Sequence, residues 1–381
     1  MHENCTKSST FDAWRGSLWA SRMDEYNVAT SRASKRRMLS LMPICRILRC
    51  VLLALSLALL AAPSASGQVG DRARFTGELM RYLGLDPAKR LPELEKGAVV
   101  HNGVPSQEKL AGEIVAAGAM LLVRGKDASA VVDAFLHSET FLLVHQVKRY
   151  RALRPGASHG PAFAELPLPD SKRIAELVKA PRRFMNLSVP EGDRLARLNP
   201  AAPELGDRAR AVLAEILGAR LRTYITRGVD GVEPYVRASG QVVDPRVELR
   251  SALASLSFVR DAFPGVLEQL AAADPECSYY WMERSIEREQ VLVLSAELST
   301  RGAASALGAD IHFYASSEYN SMLTLVGVIP YADASLVFAV NHTFTDQVTG
   351  MGSSVRRSIG RNLVASQLAQ QLEETRNRLN R

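Results

Sequence analysis

The chain has 381 residues, with 47 Lys and Arg against 40 Asp and Glu, so its net charge is +7. Residues 1–67 hold 9 of the basic and 4 of the acidic residues, which leaves 38 against 36 in the rest of the chain. A nearly neutral body gives no electrostatic reason to expect a nucleic-acid partner. Its length and its hydrophobic content of 47% (whole chain) allow a sizeable apolar core.

The N-terminal segment is typical of a secretory signal peptide. Arg36-Arg37 precedes the apolar run Val51–Ala62, which is followed by small residues through Ser66-Gly67. This order predicts cleavage near Ser66 or Gly67. The apolar run is shorter than the roughly 20 residues that cross a bilayer, so we expect no stable membrane span after cleavage. The expected location is periplasmic or extracellular.

The predicted organisation has three parts. Residues 1–37 lack helical or strand periodicity, and they either precede the true start, at Met38 or Met42, or form a disordered extension. Residues 38–67 form the signal peptide, and residues 68–381 form a single α+β domain. Three of the four cysteines lie in the first two parts, so Cys277 has no internal disulfide partner and the domain must rest on its core.

The first half of the domain alternates helices and strands. The apolar spacing predicts a helix over Arg74–Leu83, a hairpin of Gly97–Asn102 with Gly112–Arg124, a short helix capped by Asp127, and a strand over Phe141–Leu153. A helical insertion of about 170–274 follows, with almost no strand signal. Its expected helices are Asp170–Ala180, Asp207–Thr226, and two within Pro245–Leu270.

From Tyr280 the apolar spacing changes to every second residue. It predicts an antiparallel meander of four strands, Ile286–Leu298, Ala309–Ser316, Ser321–Tyr331 and Ser335–Thr345. The third strand is apolar on both faces and therefore needs a cover on each side. The helix Val355–Leu379 should close the chain, with an apolar face formed by Val355, Ile359, Leu363, Leu368 and Leu372.

Two resemblances follow from these elements. Their order resembles the helix-grip fold of START-like lipid-transfer proteins, which implies an antiparallel curved sheet that wraps a long C-terminal helix around an apolar cavity. The segments Val131-Val-Asp-Ala-Phe-Leu, Tyr279-Tyr-Trp-Met-Glu, Asp310-Ile-His-Phe-Tyr-Ala-Ser and Ser354-Val-Arg-Arg-Ser-Ile resemble a family of uncharacterised exported bacterial proteins. That second resemblance implies a compartment and no particular chemistry.

The usual catalytic signatures are missing from the sequence. It contains no HExxH, GxSxG, Walker A or CxxC motif, and its histidines are not paired at helical spacing. We therefore predict no catalytic residue, no metal and no cofactor. Glu283 and Arg284 are expected to form a solvated pair at the start of a strand, and Arg356, Arg357 and Arg361 a solvated helix face.

Two histidines remain as candidates for a chemical role. Period two places His342 on the face of Phe338, Val340 and Phe344, and it places His312 on the face of Tyr314. A buried His342 is either a hydrogen-bonded core residue or, beside Asp346, a base or ligand anchor.

Three functional hypotheses remain open. The leading one is a non-enzymatic exported protein that binds an apolar or amphipathic, lipid-like small molecule between the sheet and the C-terminal helix. Its expected ligand-binding residues are Trp281, His312, Tyr314, Phe338 and His342. The alternatives are an interaction protein with a filled core, and a hydrolase-like enzyme that uses His342 or His312 with Asp346.

Overall fold

The computed structural model describes residues 65–105, 114–136, 147–153, 160–272, 277–286, 289–302, 305–345 and 353–381. Ser64–Arg381 form one compact unit. Its fold is α+β, with a large antiparallel sheet and a long C-terminal helix. The strands are β1 (Val100–Gly103), β2 (Ile114–Arg124), β3 (Val147–Leu153), β4 (Tyr235–Val236), β5 (Val242–Val243), β6 (Ser278–Ile286), β7 (Glu289–Arg301), β8 (Ala306–Ala315), β9 (Ser321–Tyr331) and β10 (Ala334–Phe344).

Helices cover both faces of the sheet. They are α1 (Ala65–Tyr82), α2 (Pro87–Glu95), α3 (Ala128–Leu136), α4 (Gly160–Phe163), α5 (Ser171–Lys179), α6 (Pro181–Phe184), α7 (Val189–Ala196), α8 (Leu205–Arg227), α9 (Pro245–Ser255), α10 (Ser257–Ala262), α11 (Val266–Ala271) and α12 (Ser353–Leu379). A 3₁₀ turn, Gly228–Gly231, follows α8. Hydrogen bonds from capping residues explain where several helices begin. Asp170 accepts from the Arg173 amide at α5, and Ser188 and Glu191 form a capping box at α7.

The main sheet has eight strands in the order β1-β2-β10-β9-β8-β7-β6-β3, and every neighbouring pair is antiparallel. The predicted meander is therefore present, but the expected strand Ile286–Leu298 is wrong at its start. Ile286 ends β6, and β7 begins at Glu289, so the expected strand covers parts of two strands. The insertion also contains a small ladder, β4 with β5, and three helices instead of two after Pro245.

One face of the sheet, here the block face, packs on α1 and on the helices between β3 and β6. Its core includes Phe338 and Val340 on β10, with Leu79 of α1 and Leu217 of α8. The other face, here the terminal face, packs on α3 and α12. Val326 and Ala339 lie there against Leu372.

Both faces of β9 are buried, as its doubly apolar sequence indicates. α3 covers β9 on the terminal face, while α1 and α9 cover it on the block face. The terminal helix packs chiefly on β2 and β1, nearer the edge of the sheet. The insertion therefore belongs to the same core as the meander.

The predicted apolar face of the terminal helix is wrong in its N-terminal half. Ile359 and Leu363 are 62% and 58% exposed, whereas Leu368 and Leu372 are buried. The helix contacts the sheet through a face that begins with small residues. Gly360 lies against Val115, and a Cβ at Gly360 would be 3.5 Å from that side chain.

Candidate functional site

A cavity of about 360 Å³ lies between the terminal helix and the terminal face of the sheet. Its walls come from three parts of the fold. The helix α12 contributes Val364, Gln367, Leu368, Gln370, Gln371 and Glu374. The strands contribute Arg284 and Ile286 of β6, Met322 of β9, and Asn341 and Thr343 of β10, while Glu318, Tyr319 and Thr345 lie just outside strands.

Polar stripes from the helix and the sheet meet across this cavity. Gln367, Gln371 and Glu374 share one face of α12 because they are four and three residues apart. Asn341 and Thr343 share one face of β10, where the Thr343 hydroxyl donates to Asn341 Oδ1 at 2.8 Å. Apolar cores are close-packed, whereas the polar groups of these walls need hydrogen-bond partners, which an occupant of the cavity would supply.

The Gln371 side chain of the wall has an unsatisfied acceptor within the part of the chain that the structure describes. Gln371 Oε1 is buried there and accepts no hydrogen bond. A buried polar atom without a hydrogen bond costs about 1–3 kcal/mol, so such atoms are usually satisfied by protein, water or ligand groups. Gln371 lines the cavity, and a small rotation of its side chain would let a donor inside the cavity satisfy Oε1.

Tyr319, which lines the cavity, belongs to a chain of buried side chains. The Tyr319 hydroxyl is 2.7 Å from His312 Nδ1, and His312 Nε2 is 3.0 Å from Asp310 Oδ2. Asp310 Oδ1 accepts from the hydroxyls of Tyr280, at 2.7 Å, and Ser295. An ionised carboxylate can only accept, so Nε2 of His312 carries its proton and Nδ1 accepts from Tyr319.

These contacts fix the protonation of the chain. Burial alone would raise the pKa of Asp310, but His312 and the hydroxyls of Ser295 and Tyr280 together hold that pKa below its usual value. Burial lowers the pKa of His312 despite Asp310, so the imidazole is neutral. Burial raises the pKa of Tyr319 to about 12, although Arg284 opposes the shift. Tyr319 is therefore a protonated phenol at neutral pH.

A second carboxyl group lies beside this chain. Glu297 pairs with Asp310 across β7 and β8. Burial, with the charge of Asp310, raises the pKa of Glu297 to about 7. Carboxyl groups with pKa values separated in this way are common at functional sites and also occur in structural networks.

The turn that carries Tyr319 is held from the block side. Asn186, between α6 and α7, donates through Nδ2 to the backbone oxygens of Ala315 at 2.9 Å and Tyr319 at 3.1 Å. Asn320 donates to the buried carboxylate of Glu248 at 2.7 Å. Two amides thus tie the helical insertion to the cavity wall, which gives the insertion a role in shaping the site.

Glu318 has an unusual backbone conformation in that same turn. Its φ is +69°, in the left-handed region that residues with a Cβ rarely adopt. The Thr345 hydroxyl donates to its carbonyl oxygen at 2.8 Å and helps to hold the conformation. Strained residues of this kind cluster at ligand sites, and Glu318 lines the cavity.

The structure does not bring the five expected ligand-binding residues together. Trp281, Tyr314, Phe338 and His342 lie on the block face, within the core or bordering it, and none of them lines the cavity. The Trp281 indole donates to the Ala162 carbonyl at 2.9 Å. Only His312 lies on the terminal face, one hydrogen bond from the cavity through Tyr319.

The expectation that His312 and Tyr314 share a face is wrong. Ser295 pairs with His312 and Leu294 pairs with Tyr314, so Phe313 is an extra residue opposite β7. Such a β-bulge breaks the period of two. Tyr314 consequently faces the block, where the Arg220 guanidinium lies 4.7 Å from its ring centroid.

His342 lies on the block face, fully buried, as the alternation in β10 indicates. Its Nε2 shares a hydrogen bond with the Tyr82 hydroxyl and lies 3.4 Å from Ser255 Oγ. Burial lowers its pKa to about 3, so the imidazole is neutral. Asp346, the acid suggested as its partner, lies outside the described residues.

The solvated pair predicted at Glu283 and Arg284 is also wrong, because both residues are buried, at 3% and 4% exposure. They lie on opposite faces of β6. Glu283 pairs with Arg149 of the edge strand at 3.2 Å, and Arg284 lines the cavity. Arg361, one of the three arginines expected on a solvated face of α12, donates to the Val104 carbonyl at 3.0 Å.

The sequence analysis does not identify most residues of the cavity wall, although some of them follow a recognisable polar pattern in the sequence. The glutamines of α12 recur at helical spacing, and Asn341, Thr343 and Thr345 alternate with His342 and Phe344. Two polar faces on elements expected to pack together could have indicated a polar site. No sequence pattern shows that Tyr319 reaches His312.

Comparisons with protein-family models, with curated proteins and with solved structures found no match. Over the described ranges, no group of three or more His, Cys, Asp or Glu side chains could hold a metal ion. No helix in that same part of the chain is long and apolar enough to cross a membrane.

Proposed function

We propose that this protein binds a small amphipathic molecule in the cavity between the sheet and the terminal helix. The observation that carries the proposal is the cavity itself, about 360 Å³ in volume, with a polar stripe on each side and a buried acceptor at Gln371. Ligand sites commonly measure about 300–1,000 Å³ and combine apolar walls with a few placed polar groups. Ile286, Met322, Val364 and Leu368 supply the apolar part.

The proposal includes a helix-grip arrangement of the START-like kind and an exported protein. A long C-terminal helix packed on an antiparallel sheet, with a cavity between them, supports the first part. The signal-peptide pattern supports the second. Sequencing the N-terminus of the exported protein tests it: we expect a start near Gln68, and an intact leader on that material would contradict it.

The polar groups of the cavity narrow the ligand from apolar to amphipathic. A fully apolar ligand would leave the buried polar atoms of the wall without partners, which costs affinity. A filled core, as the interaction-protein hypothesis expects, would leave no room of this size. The cavity therefore favours binding over a purely structural role.

A binding measurement with a matched pair of variants tests the proposal. Anilinonaphthalene sulfonate, an amphipathic dye of suitable size, should bind the purified protein and fluoresce. Val364→Trp fills the cavity and should remove most of that signal, whereas Leu363→Trp adds the same ring on the exposed side of the helix and should leave it unchanged. Equal dye binding by the two variants would contradict the proposed site.

The chain Tyr319–His312–Asp310 favours a second candidate, a hydrolase-like enzyme. Its order is that of a nucleophile, a base and an orienting acid, and the acid is Asp310, whereas the sequence suggests Asp346. Tyr319 would lose its proton to His312 as its oxygen attacks an ester carbonyl. The alcohol part would then leave with the proton from His312. Water, giving a proton to His312 as it attacks, would release the acyl group as a carboxylic acid, and that proton would return to the Tyr319 oxygen. Hydrolysis of p-nitrophenyl acetate that Tyr319→Phe abolishes would support this candidate, and hydrolysis unaffected by Tyr319→Phe would exclude it.

A further inference from the structure

We propose that the ligand is a small zwitterion of the amino-acid class with an apolar side chain, held by a guanidinium and by carboxylates of the cavity wall. This inference rests on the proposed binding function and specifies its substrate class. Its basis is that groups of both charges line one cavity together with an apolar patch.

The cationic group of the cavity wall is Arg284. Its side chain is buried, at 4% residue exposure, and still forms part of the cavity wall. Its positive charge acts inside the site, because it opposes the rise in the pKa of Tyr319 and contributes to the low pKa of His312. A guanidinium binds a carboxylate through two parallel N–H bonds, so a ligand carboxylate is the group that Arg284 would recognise.

The anionic groups of the cavity wall are Glu318 and Glu374. Both are partly buried in the wall, and Glu374 Oε1 is oriented by the Gln370 amide, which donates to it at 2.8 Å. The buried acceptor Gln371 Oε1 lies one helical turn from it in the same wall. Two carboxylates and an amide oxygen together select a group that donates several hydrogen bonds, and an ammonium does so.

The apolar patch and the volume set the size of the side chain. Ile286 and Met322 of the sheet and Val364 and Leu368 of the helix are the aliphatic wall residues. A cavity of about 360 Å³ is near the lower end of the range for ligand sites. A free amino acid with an aliphatic or aromatic side chain fits that volume.

Four related probes separate the two ends of the ligand. L-leucine carries both charges, L-leucinamide lacks the carboxylate, N-acetyl-L-leucine lacks the ammonium, and isoamyl alcohol lacks both. Calorimetric titration of the mature protein should give an affinity for leucine at least about tenfold above that for each of the other three, since each lost charge removes a charge-assisted hydrogen bond.

Variants then assign each charge to a wall residue. Glu374→Gln should weaken leucine and leucinamide by about fivefold or more and leave N-acetyl-leucine unchanged. Glu373→Gln is the matched control, because Glu373 pairs with Arg376 outside the cavity wall, and it should change none of these affinities. Arg284→Gln should weaken leucine but not leucinamide, and the Glu374 result stands on its own if that buried variant does not fold.

The inference and the proposed function fail in different ways. Dye binding that depends on Val364, together with equal affinity for all four probes or none for leucine, would overturn the zwitterion while the cavity remains a binding site. Loss of leucine binding in the Glu373 and Glu374 variants alike would also overturn it. Absence of both dye and probe binding would overturn the two proposals together.

Discussion

His342 should make the stability of this protein depend on pH in a way that one substitution removes. Burial lowers its pKa from 6.5 to about 3 in the folded protein. Between these values the unfolded chain binds a proton that the folded chain does not, so folding stability falls as the pH decreases from about 7 towards 3. Above pH 7 both states are neutral at this residue and the penalty vanishes.

The size of the effect follows from the two pKa values. A pH of 5 is 1.5 units below 6.5, the pKa of the imidazole in the unfolded chain. Protonation of the unfolded chain therefore favours unfolding by about 2 kcal/mol relative to pH 8. His342→Gln should lower stability at pH 8 by about 1–3 kcal/mol, through the lost bond to Tyr82 and imperfect packing. At pH 5 this gap between variant and wild type should shrink by about 2 kcal/mol, because glutamine does not titrate.

Urea denaturation of both proteins at pH 8 and pH 5 measures the gap directly. Other buried groups, including His312, titrate equally in both proteins and cancel in the difference. Ser255→Ala is the matched control: it removes a neighbour at 3.4 Å but keeps the imidazole, so its gap should stay constant with pH. A gap for His342→Gln that is the same at both pH values would refute the burial argument.

Three further changes test the packing and the strain. Gly327→Ala would place a Cβ 2.2 Å from the ring of Phe338 and should lower the free energy of unfolding by about 1–3 kcal/mol. Gly77→Ala, whose new Cβ would have its nearest contact at 3.7 Å, should leave the free energy of unfolding unchanged. Equal melting temperatures of the two variants would contradict this. Glu318→Gly should relieve a φ of +69° and leave the melting temperature equal or higher while it weakens leucine binding, and a clear loss of stability would argue against strain there. Deletion of residues 170–274 should expose the block face and cause aggregation, and a soluble, cooperatively melting product would show that the insertion is an independent module.

The sequence by itself determined which faces of β9 and β10 are buried, because the pattern of apolar residues is unbroken along these strands. Alternation in β10 placed His342 among Phe338, Val340 and Phe344, and the doubly apolar β9 required a cover on each side. These patterns depend only on which faces meet water, so they can be seen in a single segment of chain. The caps at Asp170 and Asp127 are equally local.

Only the tertiary structure decided the site. The bulge at Phe313 sends His312 to one face and Tyr314 to the other, because one inserted residue reverses an alternation that a sequence pattern assumes to be unbroken. The burial of Arg284 and the exposure of Leu363 depend on where α12 lies on the sheet, which is set by contacts between residues far apart in the chain. A cavity is a gap left between such elements, and no single segment encodes it.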